Sequence, residues 1–174
     1  FIFPHAPVRS VTINGGMACR AWFDIYDLQR LSREDEHGIQ QSSESLMQII
    51  DQQVEQGINA RRIILIGFSQ GGALAQYVAL TSRYRLAGMA GLSTYLPLSR
   101  TLTASEHSKD LPAFLAHGQH DPVVPMSLGQ DSVALLGQLG CQVSWFDYAM
   151  DHTVCPQELS DISQWITKVF TSSL

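Results

Sequence analysis

The apolar positions of this chain fall into two kinds of run. Short blocks of branched or small apolar residues occur at Ile63–Ile66, Ala87–Leu92 and Ala113–His117, the composition expected of strands buried on both faces. Gln142–Tyr148 alternates through Val143 and Trp145 and predicts a further strand. Between these blocks the spacing turns helical. Ser43–Gln56 places Leu46, Ile49, Ile50 and Val54 on one side and ends at Gly57. Gly72–Leu80 opens on small residues, and Ser127–Leu139 closes at Gly140. Pro156–Phe170 carries proline in its first turn and Leu159, Ile162, Ile166, Val169 and Phe170 inward. Phe1–Phe3 predicts a strand stopped by Pro4, followed by a loop to Gly16 with turn signals at Pro7 and Asn14-Gly15-Gly16. Aromatic residues in Ala21–Ile25 are expected to cover a site or the core. Leu28–Ser42 is polar and unassigned, and Thr101–Asp110 reads as a surface excursion.

Strands alternating with helices predict an α/β fold, a mostly parallel sheet with helices on both faces. The 174 residues suffice for one domain with a real core, with no repeat or linker to divide it, so residues 1–174 read as a single domain. A chain opening on Phe1 inside an apparent strand carries the expectation that N-terminal strands are missing from it. The net charge is -5 and no basic run occurs, which excludes a nucleic-acid partner from the expectation. No apolar stretch is long enough to span a bilayer and none resembles a signal peptide. Three cysteines, Cys19, Cys141 and Cys155, cannot all pair within the chain, and no CxxC spacing suggests a metal, so the reducing cytoplasm is the default compartment.

Chemistry enters at Gly67-Phe68-Ser69-Gln70-Gly71, a Gly-x-Ser-x-Gly sequence set between a predicted strand and a predicted helix. In that setting the serine sits at the tip of a strained turn, Gly67 and Gly71 present no Cβ where strand and helix converge, and the Gln70 N–H at the helix start can face a developing oxyanion. The plain alternative is an ordinary strand–helix turn with an N-capping serine.

A serine hydroxyl becomes a nucleophile when a base takes its proton, and that base is usually a histidine oriented by a carboxylate. In α/β-hydrolases the order along the chain is serine, acid, histidine. His5 and His37 precede Ser69, His107 lies in the polar excursion, His117 ends a strand and His120 shares its loop with Asp121. His152 follows every loop acid just past a strand and is the expected base. Asp121, in the loop after Ala113–His117, is the expected acid. Asp147 falls inside a strand, Asp151 adjoins His152, and Asp110 precedes its strand. Cys155 lies close to His152 but has no elbow around it and reads as structural.

These pieces resemble the bacterial carboxylesterase and acyl-protein thioesterase (lysophospholipase-like) family of α/β-hydrolases. The resemblance is carried by Phe3-Pro4-His5-Ala6-Pro7, Asn14-Gly15-Gly16, Trp22-Phe23-Asp24, Gly67 to Gly72, Leu92-Ser93 through Leu96-Pro97, His117-Gly118 through Val124, and Tyr148 to His152. It implies an α/β-hydrolase fold, Ser69 as nucleophile, His152 as base, Asp121 as acid and the Gln70 N–H as an oxyanion donor. It also implies a cofactor-free and metal-free mechanism on small acyl esters or thioesters, with lysophospholipids and acylated proteins among the substrates. Trp22, Tyr95 and Leu96 are expected as pocket walls by the same resemblance and their apolar character. A homodimer is compatible with the sequence, which carries no signal for one. Two departures stand out. Asp151 occupies the position before the histidine where the family has glycine. The family's His-Gly-x-Gly loop, source of the second oxyanion donor, would lie upstream of Phe1. That second departure sets the competing expectation, a catalytically impaired hydrolase-fold binding protein. A dienelactone-hydrolase-like enzyme fits less well, since that group carries cysteine where this chain has Ser69.

Overall fold

In the computed structural model, residues 1–28 and 33–171 are described; residues 29–32, within the unassigned polar stretch, and 172–174 lie outside the described residues. Four strands, β3 (Ile64–Phe68), β4 (Gly88–Leu92), β5 (Pro112–Gly118) and β6 (Gln142–Tyr148), form a parallel sheet in the order β3-β4-β5-β6. Register is regular, with Leu65 opposite Met89, Met89 opposite Ala113, and Ala113 opposite Val143. Helices follow as α2 (Gln70–Thr81), α3 (Met126–Gln138) and α4 (Pro156–Thr171), with α1 (Glu36–Glu55) ahead of β3.

The period of two along each strand divides the core into two layers. Leu65, Met89, Ala113 and Leu115 face one side and pack with Ile39 and Ile50 of α1, Leu74 and Val78 of α2, and Leu136 of α3. Ala90, Leu92, Phe114 and Ala116 face the other and meet Ile162, Trp165 and Val169 of α4. Both faces of β4 and most of β5 are buried, which is why those strands read as apolar blocks rather than alternating ones.

Three expectations change. Phe1–Phe3 is extended but belongs to no strand; its side chains are exposed, with Phe1 and Phe3 stacked only on each other. Apolar composition there signals a strand, but among the described residues it pairs with none. The expected loop through Gly16 contains a hairpin of β1 (Val8–Val11) and β2 (Met17–Arg20), antiparallel, closed by a 3₁₀ turn over Thr12–Asn14 with Gly15 left-handed at φ 67°. Helix α1 begins at Glu36, seven residues before the expected Ser43. Its start is fixed by Asp35, whose carboxylate accepts from the Gly38 N–H at 3.0 Å, a polar cap that apolar spacing does not register.

Candidate active site

All four parallel strands end at one edge of the sheet, and the loops leaving β3, β5 and β6 carry Ser69, Asp121 and His152 respectively. Ser69 stands between β3 and α2 with φ 53° and ψ -122°, a conformation that costs an L residue of order 1–3 kcal/mol and persists only where its surroundings over-determine it. Here they do. The Ser69 N–H donates to the Leu92 carbonyl at 2.8 Å, the Ser69 carbonyl accepts from the Thr94 hydroxyl at 2.7 Å, and it also accepts from the Ala73 N–H at 3.0 Å.

The turn closes so tightly that a Cβ on Gly67 would lie 2.2 Å from the Gly71 backbone, and one on Gly72 would lie 2.6 Å from the Gly67 carbonyl oxygen. A Cβ on Gly71 would meet nothing within 4 Å. The helix-side constraint expected at Gly71 therefore falls on Gly72; Gly71 takes part through its backbone, which is what Gly67 must clear.

The three side chains meet. His152 Nδ1 is 2.7 Å from Asp121 Oδ2 and its Nε2 is 3.0 Å from Ser69 Oγ. Carboxylate oxygen only accepts, so Nδ1 carries the hydrogen and Nε2 is the bare nitrogen facing the serine hydroxyl. The other Asp121 oxygen, Oδ1, accepts from the Val123 and Val124 N–H groups at 2.8 and 2.9 Å. Burial alone would raise the Asp121 pKa; the hydrogen bonds from His152, Val124 and Val123 outweigh it, and the carboxyl is held below its ordinary range. The Asp121 side chain is fully enclosed, whereas that of His152 is 16% exposed. The Phe68 ring, one residue before the serine, packs against the imidazole with 4.7 Å between centroids, tilted 46° to it. The His152 loop is fastened to the acid loop by the Gln119 N–H on the Tyr148 carbonyl and the His120 N–H on the Met150 carbonyl, at 2.8 and 3.1 Å.

Gln70 has a second role that a motif reading does not supply. Its side chain accepts from the Trp22 N–H at 2.8 Å and donates to the Phe23 carbonyl at 2.7 Å, tying residues 22–23 to the elbow. The same segment is held by the Ser42 hydroxyl on the Trp22 carbonyl and by the Asp24 N–H on Asp35 at 2.8 Å. Gln70 thus brings Trp22 against the serine's loop through the backbone, and Trp22 remains half-buried. Tyr95 and Leu96, 5% and 3% exposed, sit in the main core; the Tyr95 carbonyl accepts from Gln76 and the Leu96 N–H donates to Ser132. Asp151, beside the histidine, is exposed. Cys19, Cys141 and Cys155 form no disulfide.

A cavity of about 470 Å³ lies at the opposite, amino-terminal edge of the sheet, lined by Arg61, Arg85, Trp165 and Lys168 among others. It shares no residue with Ser69, Asp121 and His152.

A sheet whose carboxyl edge carries a strained serine, a histidine and a buried acid in that chain order defines the class, a serine hydrolase of the α/β-hydrolase fold acting on ester or thioester bonds. Residues 1–170 match the Phospholipase/Carboxylesterase family, and the chain belongs to it. It is 40% identical over 185 residues to acyl-protein thioesterase 1 of Cryptococcus neoformans, covering 95% of this chain and 78% of that protein. Its fold superposes on Arabidopsis thaliana SOBER1 with TM-score 0.91 at 31% identity, covering 97% of this chain and 83% of that one. Acyl-protein thioesterase 2 of Zea mays follows with TM-score 0.82 at 30% identity over 95% and 79% of the two chains. The expected family holds, and the relatives named here are fungal and plant proteins.

Proposed function

We propose that this chain hydrolyses acyl thioesters and carboxylic esters through Ser69, His152 and Asp121, by way of an acyl-enzyme. The observation that carries the reading is the unbroken contact from Asp121 through His152 to Ser69, at 2.7 and 3.0 Å. Ser69 Oγ attacks the acyl carbonyl carbon as its proton passes to His152 Nε2, and the carbonyl electron pair moves onto oxygen. Asp121 stabilises the imidazolium without taking the proton. The Gln70 N–H, at the positive end of α2, faces that oxyanion. Collapse expels the thiolate or alkoxide, which His152 protonates. Water then attacks the acyl-enzyme with His152 as base, releasing the carboxylic acid and restoring Ser69.

Acylated proteins are the proposed substrates on the strength of the relatives named acyl-protein thioesterases, with lysophospholipids a second group. Trp22 is proposed to line the acyl site, supported by its tether to Gln70. Tyr95 and Leu96, buried in the core cluster against which Trp22 packs, are proposed as its supports. The three unpaired cysteines support a reducing, cytoplasmic setting. The impaired-binding-protein reading is disfavoured by the same triad contacts, since a retired site has no reason to retain them.

The test is hydrolysis of a short-chain thioester and its oxygen ester. Ser69→Ala and His152→Ala are each expected to remove nearly all activity, and the double variant to lose no more than either single one, because the residues act as a unit. A fluorophosphonate should label wild type at Ser69. Turnover by Ser69→Ala near the wild-type rate would overturn the proposal.

A further inference from the structure

His117 is the penultimate residue of β5, wholly buried directly beneath the acid loop. Its Nε2 lies 2.9 Å from the Val124 carbonyl oxygen. A carbonyl can only accept, so Nε2 carries the hydrogen and Nδ1 is the bare nitrogen. That nitrogen has no hydrogen-bond partner and faces Gly129 of α3, where a Cβ would come within 2.6 Å of it. The Trp145 ring of β6 lies 6.2 Å away between centroids and also borders Gly129, 3.1 Å from where that Cβ would be. An imidazole sealed in this way has one tautomer and one orientation.

Val124 is the residue through which this orientation reaches the site. Its carbonyl is held by His117, and its N–H donates to Asp121 Oδ1. The other carboxylate oxygen, Oδ2, accepts from His152 and also lies 3.5 Å from His117 Nε2. His117 therefore bears on both ends of the acid, through Val124 on one oxygen and by the field of its N–H on the other.

We propose that His117 is a positioning residue for the hydrolysis, fastening the 121–124 turn so that Asp121 presents Oδ2 to His152 Nδ1 in the orientation that aims Nε2 at Ser69. The inference rests on the Ser69–His152–Asp121 assignment above. A buried histidine that only filled space could be replaced by any side chain of like volume. A positioning histidine needs a donor at the place of Nε2, and misplacement of a catalytic group by about 1 Å can cost about 10²-fold in rate.

The test compares three variants of the full chain with wild type and Ser69→Ala. His117→Met keeps volume and removes the donor. His117→Gln places an amide N–H near the position of Nε2. Gly129→Ala leaves the histidine in place but drives a methyl group against Nδ1. We expect His117→Met to lower kcat at least about tenfold with KM within about twofold, His117→Gln to recover most of that loss, and Gly129→Ala to lower kcat with KM unchanged. The downfield proton resonance of the His152–Asp121 hydrogen bond should weaken or move in His117→Met and Gly129→Ala and persist in His117→Gln. Folded His117→Met with wild-type kcat overturns the inference, as does His117→Gln losing as much as His117→Met. If His117→Met does not fold, a folded Gly129→Ala with wild-type kcat overturns the inference, as does His117→Gln losing about tenfold or more. Activity remaining in Ser69→Ala would instead defeat the triad assignment, so the two failures are distinguishable.

Discussion

Asp121 keeps its charge against burial, and the cause is local: one imidazole and two backbone N–H groups converge on it. A carboxyl whose folded pKa is depressed contributes stability that is present above its unfolded value, about 3.9, and is lost as pH falls through the folded value. Asp121→Asn should cost about 10⁴ in turnover by misorienting the imidazole. Thermal melts should show its stability difference from wild type shrinking as pH drops below about 4; a difference that grows there would contradict the assignment. Glu158, in the first turn of α4, has the opposite sign. Its side chain is fully buried, and burial pushes it up to about 7, only partly offset by the Cys155 N–H. The folded state then binds the extra proton, so stability is lost as pH rises from the unfolded value of about 4.3 through the folded one. Glu158→Gln should melt progressively above wild type across that window, and a gap that closes toward neutral pH would refute the account. Apolar spacing places Leu159 and Ile162 inward in this helix and passes over Glu158, because a buried carboxyl shares the polar letter of an exposed one; Leu159 is in fact 58% exposed.

At the scale of elements, the elbow shows what a motif can and cannot specify. The strand, turn and helix were legible from the apolar run, the glycines and the helical spacing, although β3 is not buried on both faces as its run predicts, Ile66 being 44% exposed. Chain order together with position past a strand singled out Asp121 and His152, the residues that the structure brings into contact with each other and with Ser69. The finer steric assignment was not legible, since which glycine meets which backbone depends on a closure angle that residue types do not encode. The structure makes the distinction testable. Gly71→Ala puts a methyl group into open space within a helix and should fold, hydrolyse at close to the wild-type rate, and gain as much as about 1 kcal/mol from helix propensity. Gly72→Ala would press on the Gly67 carbonyl and the Thr94 side chain and should lose both activity and soluble yield. Equal behaviour of the two variants in expression and turnover would show that the turn relaxes more freely than its geometry indicates. The β1–β2 hairpin escaped the sequence for a related reason. Its strands are mostly exposed, with only Val11 buried, so no alternation of apolar and polar residues marks them. The Gln70 tether to residues 22–23 was hidden too, because it joins positions 47 and 48 apart by side chain to backbone.

Across the whole molecule, the two faces of the sheet are covered unequally. Helices α1, α2 and α3 contribute to one layer, and α4 alone covers the other, over β4 and β5. On that second side the outer strands are left partly bare: Ile66 of β3 is 44% exposed, Phe68 38% and Phe146 of β6 38%. Strand β3 is also an edge, for among the described residues no strand pairs with its outer side. An edge with unpaired N–H and C=O groups beside exposed apolar side chains is a template for pairing with another chain. We therefore propose that the chain self-associates through β3, which gives the compatible homodimer a physical site. Sedimentation velocity over a hundredfold concentration range should show the average mass rising above 19.2 kDa. Ile66→Lys sets a charge on that edge, points away from the main core, and leaves Ser69 and its partners untouched. It should hold the protein at monomer mass with turnover close to wild type, because charged residues are the device by which natural edges resist pairing. Wild type that stays monomeric throughout, or an Ile66→Lys variant that associates as strongly as wild type, would remove β3 as the contact and leave the exposed hairpin residues Val8 and Met17 as the surface to examine.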